Sequence, residues 1–263
     1  MADPRGGRRG GDDVHDEVVD VTDRRRPYTV LSCGVSLDGF LDDASDERLV
    51  LSNPADLDRV DEVRAGCDAI LVGAATVRHD DPRLLVRSPE RVVRRRAAGL
   101  PEQPMKVTVT NRAKLDPESR FFTVGSAPKL VYCASDTCDM ASQQLPRATV
   151  IDAGRPVALR WVSEDLHARG VRRLMVEGGG DVHTQFLAGR LADELQLVVA
   201  PIFVGKPGAT RFVGPGPFPF NGDHRACLME SRPIGDVVLL RYALSARAER
   251  EASTAIRPAP SRP

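Results

Sequence analysis

Lysine is nearly absent: Lys106, Lys114, Lys129 and Lys206 are the only four among 37 basic residues, and 37 acidic residues bring the formal net charge to zero. Without a basic excess, nothing global draws the chain to nucleic acid or to an anionic membrane. Any anion site must be local, and an arginine-lined pocket is the expected form. The arginine bias itself reads as coding composition rather than chemistry. No run of about 18 apolar residues is present to span a bilayer. The five cysteines (Cys33, Cys67, Cys133, Cys138, Cys227) are odd in number and scattered, with no apolar leader ahead of them. That pattern points to reduced thiols in a cytoplasm and to no disulfide framework. Cys133 and Cys138 lack a second Cys/His pair at zinc-finger spacing, so no metal is expected.

Whole classes of motif are missing too. There is no G-x-x-x-x-G-K-[ST], no G-x-S-x-G and no H-E-x-x-H, which removes the main support for an NTPase, a serine hydrolase or a zincin. A G-x-G-x-x-G fingerprint is absent, so a standard Rossmann dinucleotide site is not indicated. What remains is a chain of 263 residues, 41% hydrophobic, long enough to bury a core. Residues 1–26 carry thirteen charged side chains and no aromatic, too little apolar surface to offset the entropy of ordering. Residues 245–263 repeat that character, so both ends are expected to be disordered tails around one folded unit, 27–244.

Inside that unit, strand and helix signals alternate, the mark of an α/β fold. Strands are expected near Tyr28 to Val35, Asp68 to Gly73, Lys106 to Thr110, Lys129 to Cys133, Val150-Ile151, Val171 to Val176 and Glu194 to Ala200. Asn53 caps a helix opened by Pro54 and ended by Gly66, Ser163 to Arg169 reads as a second capped helix, and a third runs from the glycines at 178–180 to Gly189. Cys227 to Glu230 and Val237 to Tyr242 have no helix between them and should pair antiparallel. The sheet is therefore expected to be mixed and mainly parallel.

Two stretches carry chemistry. Glu177-Gly178-Gly179-Gly180 runs from a buried strand through three glycines into a helix start, where free backbone amides and the positive end of the helix dipole suit a diphosphate. Glu177, at the strand end, is either a site carboxylate or a solvated cap. Gly73-Ala-Ala-Thr76-Val-Arg-His-Asp80-Asp81-Pro82-Arg83-Leu84-Leu85-Val86-Arg87 again leaves a buried strand. Thr76 and Asp80 share a face if the first turn is helical, and the arginines offer forks for a phosphate.

These motifs, together with Gly34-x-Ser36-Leu37-Asp38-Gly39 and Asp193-Glu194-Leu195 followed by Ala200-Pro201 and Gly205, resemble the reductase domain of the RibD family of riboflavin biosynthesis across most of residues 28–242. The resemblance implies a dihydrofolate-reductase-like fold, a homodimer, and NADPH-dependent reduction of a phosphoribosylaminopyrimidine to its ribitylamino form by hydride transfer to ribose C1′. It implies Gly34, Gly73, Thr76, Asp80, Thr110, Gly179, Gly180, Asp181 and Val182 beside the cofactor. Arg48, Arg64, Leu84, Arg87 and Glu177 are implied beside a small phosphorylated substrate, with Arg64 or Arg87 at its phosphate and Asp80 nearest the transferred hydride. Bacterial bifunctional members carry Ser-x-Trp where this chain has Arg48-Leu49-Val50, and residues 1–26 are too short for the family's deaminase half, so a stand-alone reductase is expected. Two alternatives stand beside it: the same fold and cofactor acting on a dihydropterin or specialised-metabolism substrate, and a non-catalytic nucleotide-binding module.

Overall fold

In the computed structural model, the first helix starts where its capping chemistry dictates. Asn53 accepts a hydrogen bond from Asp56 N and Pro54 takes the first turn of α1 (Pro54–Ala65). The structure describes residues 25–45, 47 and 49–255. The short apolar runs become strands: β1 (Tyr28–Ser36), β2 (Ala69–Gly73), β3 (Met105–Thr110), β4 (Lys129–Cys133), β5 (Thr149–Asp152), β6 (Arg173–Gly178), β7 (Glu194–Ala200), β8 (Cys227–Ile234) and β9 (Val237–Ala243). They form one nine-stranded sheet in the order β5-β4-β3-β2-β6-β1-β7-β9-β8. Strands β1 to β7 run parallel, and β9 and β8 add antiparallel beyond β7. This is the mixed, mainly parallel sheet expected. Its central strands are buried on both faces, as a parallel sheet covered by helices requires.

The remaining helices are α2 (Ala74–Asp80), α3 (Pro89–Ala97), α4 (Arg120–Thr123), α5 (Cys138–Gln144), α6 (Leu159–Ala168), α7 (Gly180–Ala188) and α8 (Ala246–Ala255). Several depart from expectation. Ser163 does not cap α6 but lies buried inside it, because Leu159, Val162 and Leu166 supply the apolar face from one turn earlier. Helix α3 is capped by Ser88, whose side chain accepts from Arg91 N, a signal hidden in an arginine-rich run. The C-terminal stretch expected as a tail begins with α8, held because Arg247 pairs with Asp193 and Ala248 is fully buried. At the other end Arg26 is buried against the same Asp193, while residues 1–24 of the expected tail lie outside the described residues. Cys133 and Cys138 are joined in a disulfide, with Cα atoms 5.9 Å apart, contrary to the expectation of reduced thiols. The strand end and the start of α5 bring the two together, which sequence spacing alone did not show. Cys33, Cys67 and Cys227 are free. No helix among the described residues is long and apolar enough to cross a membrane.

Candidate active site

A cavity of about 1330 Å³ opens at the carboxyl ends of β1, β2, β3 and β6, where open α/β sheets place their ligands. Two strand-to-helix turns meet there. Gly73 precedes α2 and Gly178-Gly179 precede α7, and they pack closely: a Cβ on Gly73 would come within 3.0 Å of Val182 Cγ2, and one on Gly178 within 3.1 Å of Thr76 Oγ1. Gly179 adopts φ +92°, a left-handed conformation that glycine tolerates without strain. A Cβ on Gly180 would overlap the carbonyl oxygen of Arg211. Neighbouring backbone thus bars a side chain at Gly180, whereas at Gly73 and Gly178 the tight neighbours are the side chains of Val182 and Thr76.

The amides of Gly180, Asp181 and Val182 precede the first bond of α7, from His183 N to Gly179 O (3.0 Å), and no side chain caps the helix. They form an open anion cradle. Behind them His183 is fully buried with neither ring nitrogen hydrogen-bonded among the described residues. Its ring tilts against Phe212, centroids 5.5 Å apart. Burial pulls its pKa down to about 4, so it is neutral at physiological pH. On the opposite turn, the condition set by the spacing is met: α2 is helical and brings Thr76 and Asp80 to the same cavity. At the end of β3 the Thr110 hydroxyl accepts from Arg112 N (3.3 Å) and Ala113 N (3.0 Å), shaping a turn with Ala113 at φ +49°.

The far wall comes from a hairpin and a long loop that lacked periodic signals. Asp38 accepts from Ser36 Oγ, Val204 N and Gly205 N, and the Ser36 hydroxyl bond chiefly holds its carboxyl down at about 2. Asp42 accepts from Thr210 N (3.1 Å). These carboxylates tie the 204–210 loop over the cavity.

Of the expected site residues, Gly34, Gly73, Thr76, Asp80, Thr110, Glu177, Gly179, Gly180, Asp181 and Val182 line this cavity together. Arg48 lies outside the described residues, and three others do not line it. Leu84 is 2% exposed and packs in the core with Val77 and Phe121, because φ +47° turns it inward. Arg87 is 55% exposed, with Nε 3.4 Å from Asp61 Oδ1 and Nη2 donating to Leu57 O at 2.6 Å; Leu57 is a cavity residue, and Nη1 is left toward solvent by that exposure. Arg64 does not line the cavity. Its guanidinium holds Glu177 in a bidentate fork, Nε to Oε1 at 2.6 Å and Nη2 to Oε2 at 2.5 Å, with both side chains largely buried. Burial works to lower the Arg64 pKa, but the Glu177 carboxylate more than offsets it and leaves it raised. A guanidinium committed in this way does not suit the expected phosphate contact. Nor is the pocket arginine-lined: Asp42, Glu47, Asp80, Glu177 and Asp181 face it against Arg78 and Arg112.

His183, Arg112, Asn111 and Thr210 also line the cavity and went unrecognised in the sequence. Asn111 and Arg112 directly follow Thr110 at a strand's carboxyl end, a signal that could have found them. Among the described residues no group of side chains could hold a metal ion.

A family model described as the RibD C-terminal domain matches residues 27–240. The chain belongs to that family. Two relatives are named 2,5-diamino-6-ribosylamino-4(3H)-pyrimidinone 5′-phosphate reductase. The one from Archaeoglobus fulgidus is 36% identical over 182 residues, 68% of this chain and 83% of its own length. The one from Methanothermobacter thermautotrophicus is 34% identical over 221 residues, 83% of this chain and 99% of its own. Among solved structures, a pyrimidine reductase-like protein from Corynebacterium diphtheriae superposes with a TM-score of 0.71 at 22% identity, covering 85% of this chain and 94% of that one. A deaminase/reductase from Thermotoga maritima superposes at 0.68 and 20% identity, covering 86% and 58%. The fold is that of the RibD reductases, the dihydrofolate-reductase-like fold expected.

Proposed function

We propose that this chain is a cytoplasmic, NADPH-dependent reductase that converts a 5′-phosphorylated ribosylaminopyrimidine to its ribitylamino form. The observation that carries this is one cavity joining an uncapped helix start to a substrate wall with Asp80 and Glu177. Its volume exceeds the several hundred Å³ of an ordinary small-ligand pocket, which suits cofactor and substrate bound together. The amides of Gly180, Asp181 and Val182 would hold the diphosphate, with Thr110 and Gly34 along the dinucleotide and Gly73 and Thr76 beneath it. The unpartnered nitrogens of buried His183 fit a site completed by a polar ligand. When bound, the nicotinamide supplies the hydride for C1′. The chain's own residues bind, orient and enclose: Asp80 stands nearest the reacting carbon, Glu177 accepts from the pyrimidine edge, and exposed Arg87 takes the phosphate.

The carboxylates on the cavity wall favour a ring bearing a 2-amino donor over one bearing a 2-oxo acceptor. We therefore place the undeaminated diamino pyrimidinone first, in line with the names of the two archaeal relatives and ahead of a dihydropterin. A homodimer is supported by an apolar sheet face. Tyr242 and Val238 alternate onto one side of β9, Leu228 is registered with Tyr242, and both Leu228 and Val238 are exposed.

The test is NADPH oxidation by the purified protein with the diamino pyrimidine and with its deaminated counterpart. Turnover of the diamino compound at the higher kcat/KM is expected. No oxidation with either would overturn the assignment, and preference for the deaminated compound would overturn the choice of ring.

A further inference from the structure

Residues 81–88, between α2 and α3, have no regular secondary structure, so their backbone groups must find partners elsewhere. Side chains supply them. Asp81 accepts from Arg120 N at 2.5 Å and from Arg120 Nε at 2.9 Å. Gln103 clamps Val86 on both sides, its Oε1 accepting from Val86 N (2.7 Å) and its Nε2 donating to Val86 O (3.0 Å), a sheet-like pair made by one amide. Buried Asp61 accepts from Arg87 N at 2.6 Å and Ser88 N at 3.1 Å. The strap so fixed presents one carbonyl toward the site: Leu85 O accepts from Arg64 Nη1 at 3.2 Å. The other two nitrogens of that guanidinium, Nε and Nη2, form the fork that holds Glu177, whose side chain faces the cavity.

We propose that Gln103 and Arg64 are positioning residues: Gln103 fixes the Val86 backbone, the adjacent Leu85 carbonyl orients Arg64, and Arg64 presents Glu177 to the cavity as an immobilised acceptor. A planar guanidinium bonded at all three nitrogens has one orientation, and a carboxylate held on both oxygens by its Nε/Nη2 fork has one as well. Gln103 touches neither the cavity nor Glu177, yet it determines where the acceptor stands. The inference rests on the proposed pyrimidine reductase function only for its kinetic readout.

The experiment compares the wild type, Gln103→Leu, Arg64→Met and the double variant by steady-state kinetics and thermal unfolding. Arg64→Met should raise the pyrimidine KM roughly tenfold or more, the size of a charge-assisted hydrogen bond. Gln103→Leu should raise it ~3- to 10-fold, with kcat and the NADPH KM within about twofold. Because Gln103 acts through Arg64, the double variant should be no worse than Arg64→Met. Additive effects, or a fall in melting temperature with the pyrimidine KM unchanged, would overturn the proposal. If the wild type does not turn over the pyrimidine, the functional assignment fails on its own, and a crystal structure of Gln103→Leu decides the positioning. Arg64 displaced from Leu85 O and Glu177 upholds it; all three contacts retained overturns it.

Discussion

At the amino end of the parallel strands, Asp193 is fully buried yet accepts six hydrogen bonds: two from Arg26, two from Arg247, one from Ser245 Oγ and one from Thr29 N. At the carboxyl end, His183 is just as buried and accepts none among the described residues. One end saturates its polar groups and closes around them; the other leaves helix amides, ring nitrogens and carboxylates facing a cavity. Burial of Asp193 works to raise its pKa, but Arg26 and Arg247 win and hold it below the ordinary carboxylate range. Nothing offsets the burial of His183. A polar group left without a partner inside a fold costs stability, and a protein tolerates that cost where a ligand completes the set. The Asp193 end therefore stabilises the fold, and the His183 end is where we propose that ligands bind.

The largest test removes the closed end. Asp193→Ala leaves two arginines without their carboxylate and should lower the unfolding free energy by about 3–5 kcal/mol, measured by urea titration, while any folded fraction keeps its NADPH KM. At the open end, Asp80→Asn should do the reverse: turnover falls by ~10²-fold or more, with the melting temperature unchanged. Third comes pH. His183 has a folded pKa of about 4 against an ordinary 6.5, so the unfolded chain binds its proton first as pH drops. Stability should fall between pH 6.5 and 4 by roughly 2–3 kcal/mol, and His183→Leu should flatten that window in unfolding titrations. Asp193 has a depressed pKa too, and it keeps its contribution above its ordinary pKa and loses it only at lower pH. The acid limb below about pH 4 should therefore survive in His183→Leu. The smallest effect lies at neither end: Val238→Lys, on the exposed sheet face, should shift a dimer toward monomer in light scattering with stability changed by no more than about 0.5 kcal/mol.

Much of the fold was legible in local pattern. The apolar runs at 69–73 and 105–110, the Asn53-Pro54 cap and the antiparallel C-terminal pair came through because short-range physics determines them. The cavity's glycine turns were legible for the same reason: Gly73 and Gly179 sit where β2 and β6 give way to helices, and Thr76 follows in the first turn of α2. The substrate side was harder. Leu84 is a substrate contact by the family resemblance, but at φ +47° it lies buried in the core. Arg64 reads as a free cation, but its partner lies 113 residues away. Arg26 and Arg247 look like tail charges until Asp193 gathers them.

The sequence by itself determined where most strands lie, where α1 is capped and which glycine turns leave the sheet, because capping, periodicity and glycine placement act within a few residues. Only the tertiary structure decided which charges are paired and which stand open. Pairing depends on residues brought together from distant positions, and no local spacing carries that information.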